Sequence, residues 1–408
     1  MEHPTKNLRR PVLQNMPALT DPLLYSEGDP FEVWRTLRRE SPVSWHEYGE
    51  HGGYWAVTTH AAGLEVLTEW ERFTSTKGIF LRTNFKDPYP GAGTMMALSD
   101  PPRHDRLRKA IMGLFTVRAI AKMEERTRDV VRTALHGVVE AGHCDFVKDI
   151  AARIPLAVSA ELLSISMDDV EMLAKVTTEA AENSTDINGI EAQLAHFEIL
   201  RHYSEIIEEK RRNPGRDLVS ALTTAQAEGL DITDDEVILT CDNVIVAANE
   251  TTRQAVGAGM YALLQSPDQW QALRAGDLKL KTAAEEFLRW TAPVTHILRT
   301  AQHDTVLEGV EIRAGDAVTV WLPSLNRDEK VFDQPDRFLL DRTSNHHVSF
   351  GGGGHFCIGA NLARLTIRVM LEELAQLPAE IEVSGEPKRI ASHILGGLTS
   401  LPLTFRPH

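Results

Sequence analysis

Hydrophobic positions along this chain recur mainly at the three-to-four-residue spacing of helices, with short stretches of strand-like alternation between them. A short helix is expected over residues 30–39. Strand-like pieces follow at 43–46 and 54–58, where alternation and aromatic content predict a small sheet. From 74 to 98 the pattern is irregular and carries Gly78, Pro88, Pro90, Gly91 and Gly93, a loop long enough to have a task of its own. Helical periodicity dominates from 101 to 292, with breaks at Gly142, Pro155, Gly189, Asn213-Pro214-Gly215, Gly229 and Pro267. Strand-like runs return at 297–300 and Ala317–Trp321. A meander rich in Pro, Asp and Arg covers 326–342, one more helix covers 358–376, and 381–405 reads as strands and turns. The expectation is a mainly α chain with a minor β portion near 43–58, 297–321 and 381–405. It forms one unit over 1–408, because neither a repeat nor a Gly/Ser linker divides it.

Within this pattern one helix stands out. Thr233-Asp234-Asp235-Glu236 is a capping box, and about thirty helical residues follow. Its middle, Val244-Ile245-Val246-Ala247-Ala248, is apolar on every side, so the helix should run through the core. Asn249-Glu250-Thr251-Thr252 comes next. Acids and hydroxyls in such a place are costly unless they bond to something, although a helix simply leaving the core there would read the same way.

Composition narrows the function classes. With 408 residues, 42% hydrophobic and 25% charged, the chain can enclose a prosthetic group. A net charge of −15 argues against nucleic acid as a partner, despite the local basic run Arg103-His104-Asp105-Arg106-Leu107-Arg108-Lys109. The three cysteines, Cys144, Cys241 and Cys357, form no C-x-x-C pair and fit a reducing compartment. With no signal-like or membrane-length apolar run, the expected location is cytoplasmic, away from membranes.

The strongest chemical signal is Phe350-Gly351-Gly352-Gly353-Gly354-His355-Phe356-Cys357-Ile358-Gly359. Four glycines let a backbone lie flat against something planar. Cys357 at the start of the helix that follows would meet free amide donors, which favour the thiolate. On the residues alone, a flexible turn with an inert buried thiol remains open, as does a zinc site from His346, His347, His355 and Cys357. No ligand pair there has finger spacing. No G-x-G-x-x-G or P-loop window is present.

The cysteine segment resembles the heme-binding signature of the cytochrome P-450 superfamily, F-G-x-G-x-H-x-C-x-G, at every fixed position, and further likeness runs along nearly the whole chain. The resemblance implies a single fold with heme b between the long central helix and the cysteine-loop helix, and Cys357 as axial iron ligand. Phe350, Gly351, Gly359 and Ala247 would lie against the heme, and His104, Arg108, Arg299 and His355 would hold its propionates. Ala247-Ala248-Asn249-Glu250-Thr251 is similar to the family's oxygen-activating A-G-x-[D/E]-T, with Ala248 in place of Gly. It implies Thr251 as the hydroxyl serving dioxygen activation and Glu250 as proton relay. Glu286 and Arg289, with Arg337 from the meander, match the family's structural triad. Other Glu/Arg pairs at the same spacing, such as Glu32/Arg35, read as solvated surface.

By the same resemblance the substrate pocket takes Asn243, Val294, Thr295, His296 and Leu395, giving a partly polar lining. The implied activity is monooxygenation, read as hydroxylation of a medium-sized organic molecule, free or carrier-tethered, in bacterial specialised metabolism. A peroxide-driven enzyme, an oxidative-coupling catalyst and a heme-binding sensor are the alternatives. The chain has no flavin, nicotinamide or iron–sulfur motif, so electrons from NAD(P)H should arrive through a ferredoxin and its reductase. Arg106, Lys109, Arg364 and Arg368 are the candidate docking cations.

Overall fold

The computed structural model describes residues 16–49, 52–82, 91–173 and 190–407. Helix α1 (Pro30–Glu40) starts where Asp29 accepts the Phe31 and Glu32 amides and Pro30 needs no partner. β1 (Val43–Glu47) and β2 (Gly53–Val57) pair antiparallel, as their alternation predicts. They are joined by three strands from elsewhere in the chain. β3 is Phe73–Thr74, β4 is His296–Ala301 and β5 is Ala317–Trp321, and the sheet order is β1-β2-β5-β4-β3. β2 and β5 run parallel, and the other neighbours run antiparallel. Helix α2 (His60–Thr68) lies between β2 and β3 in the chain.

The helical part includes α3 (Arg103–Ile111), α4 (Glu124–Ala141), α5 (Arg153–Leu163), α6 (Leu218–Ala227) and the 31-residue α7 (Asp234–Leu264). The capping box that opens α7 is present, with the Glu236 amide donating to Thr233 Oγ1 at 3.2 Å and the Thr233 amide to Glu236 Oε2 at 2.7 Å. α8 (Leu280–Thr291) packs against α7 and against α9 (Ala360–Gln376). Strands His143–Asp145, Pro402–Pro407 and Ala379–Val383 make a second sheet. The mainly α architecture with small sheets is as expected. Among the described residues no single helix is long and apolar enough to cross a membrane.

Two local expectations change. Pro155 does not break the chain. It is the third residue of α5, where a missing amide costs nothing, and a π-helical turn (Val147–Ala151) runs up to that start. Asp100-Pro101 ahead of a helical run predicts an N-cap followed by a first-turn proline, but α3 begins after Pro102 without a side-chain cap, because the Asp100 carboxylate is engaged elsewhere. The expected break at Gly189 lies outside the described residues, as do 83–90 of the long loop.

Candidate active site

A cavity opens between the middle of α7 and the cysteine loop. α7 contributes Asn243, Val244, Ala247, Ala248, Thr251 and Thr252. Ala247 is exposed to it while Val244 and Ile245 are buried on either side. An apolar helix middle therefore faces both a packed core and a hollow.

The opposite wall is the glycine loop. Gly351 and Gly353 have φ of +71° and +61°, the left-handed region that glycine enters freely. A Cβ on Gly353 would also stand 2.9 Å from the Leu67 carbonyl oxygen and the Thr68 Cα of α2. The loop closes on itself through the Cys357 amide, which donates to the Phe350 carbonyl at 2.8 Å. Cys357 lies deep in the molecule but is open to the cavity, one turn before α9 rather than on it. Burial pushes its thiol up, while the Gly359 amide, Arg108 and Arg364 pull it the other way.

The cavity rim is cationic. Arg299 is 3% exposed, and among the described residues its guanidinium donates only to the Leu298 carbonyl, at 2.9 Å. Burial pushes it down to about 10. Burial likewise lowers Arg108, with Cys357 and Asp105 opposing. Among the described residues no carboxylate lies within ion-pair distance of either arginine. His104 Nδ1 sits 2.9 Å from Asp105 Oδ1, and its ring is 4.2 Å from that of His355. His355 Nε2 is 3.0 Å from Ser75 Oγ, which donates to Asp100 Oδ1 at 2.6 Å, and Thr74 donates to the same carboxylate. Burial opposes the Asp100 charge, but His355, Ser75 and Thr74 outweigh it and hold the carboxyl well below its usual range.

Buried guanidiniums facing a hollow without a counter-ion are expensive unless an anion arrives. A flat macrocycle with two carboxylates meets that need, and its iron would find the Cys357 sulfur on the glycine-flattened wall. The donor set therefore fits heme. His347 and His346 do not join Cys357 in a metal site. His347 Nε2 bonds Glu285 at 3.0 Å, the His346 carbonyl bonds His60, and no group of three or more His, Cys, Asp or Glu among the described residues is placed to hold a metal.

Several expected residues stand elsewhere. Glu250 is not on the cavity wall, because its carboxylate pairs with Arg253 at 2.6 Å. In the structural triad the meander arginine is Arg342, not Arg337. Glu286 takes both Nε and Nη2 of Arg289 at 2.7 and 2.8 Å, and Arg342 Nε at 3.0 Å. The Arg337 side chain is exposed on Gln334, and only its carbonyl joins the network, accepting from Arg289 and Arg342. Thr295 and His296 turn away from the cavity. Ile297 and Arg299 point in, so the period-two alternation of β4 turns His296 and Leu298 the other way. Leu395 is outside the lining and meets the site through its backbone bridge to Val294, which does line it.

Sequence reasoning missed Asn326. Its amide donates to the Arg289 carbonyl and to Ser349 Oγ, and its carbonyl takes the Val348 amide at 2.8 Å, tying the triad to the cysteine loop. It also missed Glu285, which burial would raise but His347 and Arg364 hold at about 2. No short-range pattern marks either residue.

The Cytochrome P450 family model matches residues 279–377. Cytochrome P450 NovI of Streptomyces niveus is 37% identical over 94% of this chain and 95% of that protein. A steroid C26-monooxygenase of Mycolicibacterium smegmatis is 33% identical over 99% of this chain and 98% of its own. The crystal structure of P450 OxyD, involved in the biosynthesis of vancomycin-type antibiotics, superimposes with a TM-score of 0.86 at 36% identity, covering 96% of this chain and 99% of that one. The chain belongs to the cytochrome P450 family of monooxygenases, oxidoreductases that use heme b and dioxygen with electrons passed from NAD(P)H through redox partners.

Proposed function

We propose that this chain hydroxylates a medium-sized, largely apolar organic substrate in bacterial specialised metabolism, with Cys357 as iron ligand and a ferredoxin as electron donor. The observation that carries the reading is the cavity with Cys357 on one wall, Thr251 on the other and two uncompensated arginines at its rim. NovI and OxyD, both cytochromes P450 and the second involved in the biosynthesis of vancomycin-type antibiotics, support the metabolic setting. Heme, when bound, supplies the redox chemistry of dioxygen activation. The remaining work belongs to the protein.

His104, Arg108, Arg299 and His355 would hold the propionates. Ile79, Phe80, Met96, Val294 and Ile297 present apolar surface to the substrate and keep water out. Asn243 adds a polar amide to this lining. It lines the cavity with no hydrogen-bond partner among the described residues, so it is free to meet one carbonyl or hydroxyl of the substrate. With Thr295 and His296 turned away, the pocket is more apolar than the sequence alone implies.

Thr251 Oγ1 donates to the Ala247 carbonyl at 2.5 Å, one turn back, from a position on the cavity wall. Rotation about χ1 would turn the same proton towards the cavity. Glu250 can resupply it only after parting from Arg253, so Thr251 is the hydroxyl in place. Thr251→Ala is expected to lower product formed per NAD(P)H consumed by about tenfold or more, while reductant consumption continues. Unchanged coupling would remove Thr251 from proton delivery.

Of the four candidate docking cations, two are already neutralised. Arg364 holds Glu285 through two bonds of 2.6 and 3.0 Å, and Arg368 bridges Glu124 and Glu372. Arg106 and Lys109 are exposed on α3, which also carries His104 and Arg108, and have no carboxylate within ion-pair distance among the described residues. The double change Arg106→Glu/Lys109→Glu is expected to raise the KM for ferredoxin by about tenfold at low salt, shrinking as salt rises. Equal effects from Arg364→Ala would place docking elsewhere.

A further inference from the structure

Three segments meet at one imidazole outside the cavity. They are the loop that gives Ile79 and Phe80 to the lining, the start of β4, and the turn at His393. His296 is fully buried. Its Nδ1 lies 2.8 Å from the His393 carbonyl oxygen, which can only accept, so Nδ1 carries the proton. Nε2 is then left with a lone pair, which takes the Leu81 amide proton at 3.0 Å. The two partners leave only the neutral Nδ1–H tautomer.

Packing holds the ring in that pose. It stacks on His393 at 5.5 Å and 9°, meets Phe80 edge-on at 6.0 Å, and lies 5.0 Å from Trp321. Thr295 Oγ1 donates to the same His393 carbonyl at 2.5 Å, and the Leu298 amide donates to the Ile79 carbonyl at 2.8 Å. Burial, with His393 beside it, lowers His296 to about 3, which keeps the ring neutral and the Leu81 bond intact around neutral pH.

We infer that His296 is a positioning residue: through the Leu81 amide it fixes Ile79 and Phe80 at the cavity wall and so sets which ligands the cavity accepts. The inference rests on reading that cavity as the reaction site. Nothing else among the described residues receives the Leu81 amide. Without that bond the cavity side of the loop keeps the Ile79 carbonyl contact, and two residues on it is left with only the longer 3.4 Å contact between His393 Nε2 and the Leu81 carbonyl among the described residues.

The test uses heme-loaded protein and two probes read by their Soret shifts. Imidazole reports the iron alone, and 4-phenylimidazole also presses a ring against the wall. His296→Phe keeps an aromatic ring but removes the acceptor. It is expected to change the Kd for 4-phenylimidazole by about fivefold or more while imidazole stays within about twofold, the scale of one lost buried hydrogen bond. His296→Gln, with a carbonyl for Leu81 and an amide donor for His393, is expected to restore the value to within about twofold. Parallel shifts of both probes, no shift of either, or no rescue by glutamine would overturn the inference. Hydrogen exchange on the unsubstituted protein needs neither folding of a variant nor heme. Slow exchange of the Leu81 amide is expected, and exchange as fast as an unprotected loop amide would overturn the inference even if the reaction-site reading stands. Failure of that reading shows separately, as the absence of a heme spectrum.

Discussion

Cys357→Ala is expected to abolish the strongly red-shifted Soret band of the reduced, CO-bound protein and to take turnover to background, a loss beyond the ~100-fold that follows removal of a group merely supporting a metal ligand. A thiolate pushes electron density onto iron, and neither Cys144 nor Cys241 lines the cavity to supply another. The backbone around it is built for that one atom. The Cys357 amide is used by the Phe350 carbonyl, the Gly359 amide serves the sulfur, and Gly351 and Gly353 take left-handed conformations that let the loop pass close to α2. Alanine keeps this backbone and removes the ligand, so the variant should stay folded. A red-shifted band that survived in the variant would mean another ligand. A protein purified without heme from heme-sufficient cells would contradict the assignment of the cavity.

The second large effect separates two arginines five residues apart. Arg342→Ala is expected to destabilise the protein by about 3–5 kcal/mol, the cost of breaking a buried ion pair, whereas Arg337→Ala should stay within about 0.5 kcal/mol. Glu286 and Arg289 have fully buried side chains, and Arg342 is nearly so. Arg342 also donates to the Asp333, Gln334 and Arg337 carbonyls; the Arg337 carbonyl keeps Arg289 and the Gln334 carbonyl keeps the Arg337 amide, but the Asp333 carbonyl would lose its donor among the described residues. The exposed Arg337 side chain hydrogen-bonds Gln334 and adds a charge near Asp268, both at the surface. Denaturant unfolding followed by circular dichroism would measure both. Equal losses would return the triad to the residue read from the sequence. Because Asn326 links Arg289 to Val348 and Ser349, the Arg342 variant should also bind heme less tightly.

Contacts between neighbours in the chain were legible in the sequence. The capping box of α7, the Glu286–Arg289 pair on one face of α8 and the glycine-flattened Cys357 loop are each complete within ten residues, and their geometry follows from helix spacing and glycine's freedom. The likeness to a known family then extended this reading to His104, Arg108, Arg299 and His355, which lie together at the cavity rim. Where an inference needed the direction of a side chain in a long-range pairing, it failed. His296 sits one residue from the lining Ile297, and the register of β4 against β5 decides its face, whereas Thr295 precedes β4 and gives its hydroxyl to the His393 carbonyl.

By itself, the sequence determined the cysteine loop and the long helix that faces it, because local backbone preference specifies these, and a short contiguous motif, through its likeness to a known family, determined the class of chemistry. Only the tertiary structure decided that Arg342 rather than Arg337 meets Glu286, that Glu250 is held by Arg253, that Asp100 serves Ser75 and His355, and that His296 clamps a loop. Each depends on which distant partner wins a buried donor or acceptor, and burial makes that competition costly to lose.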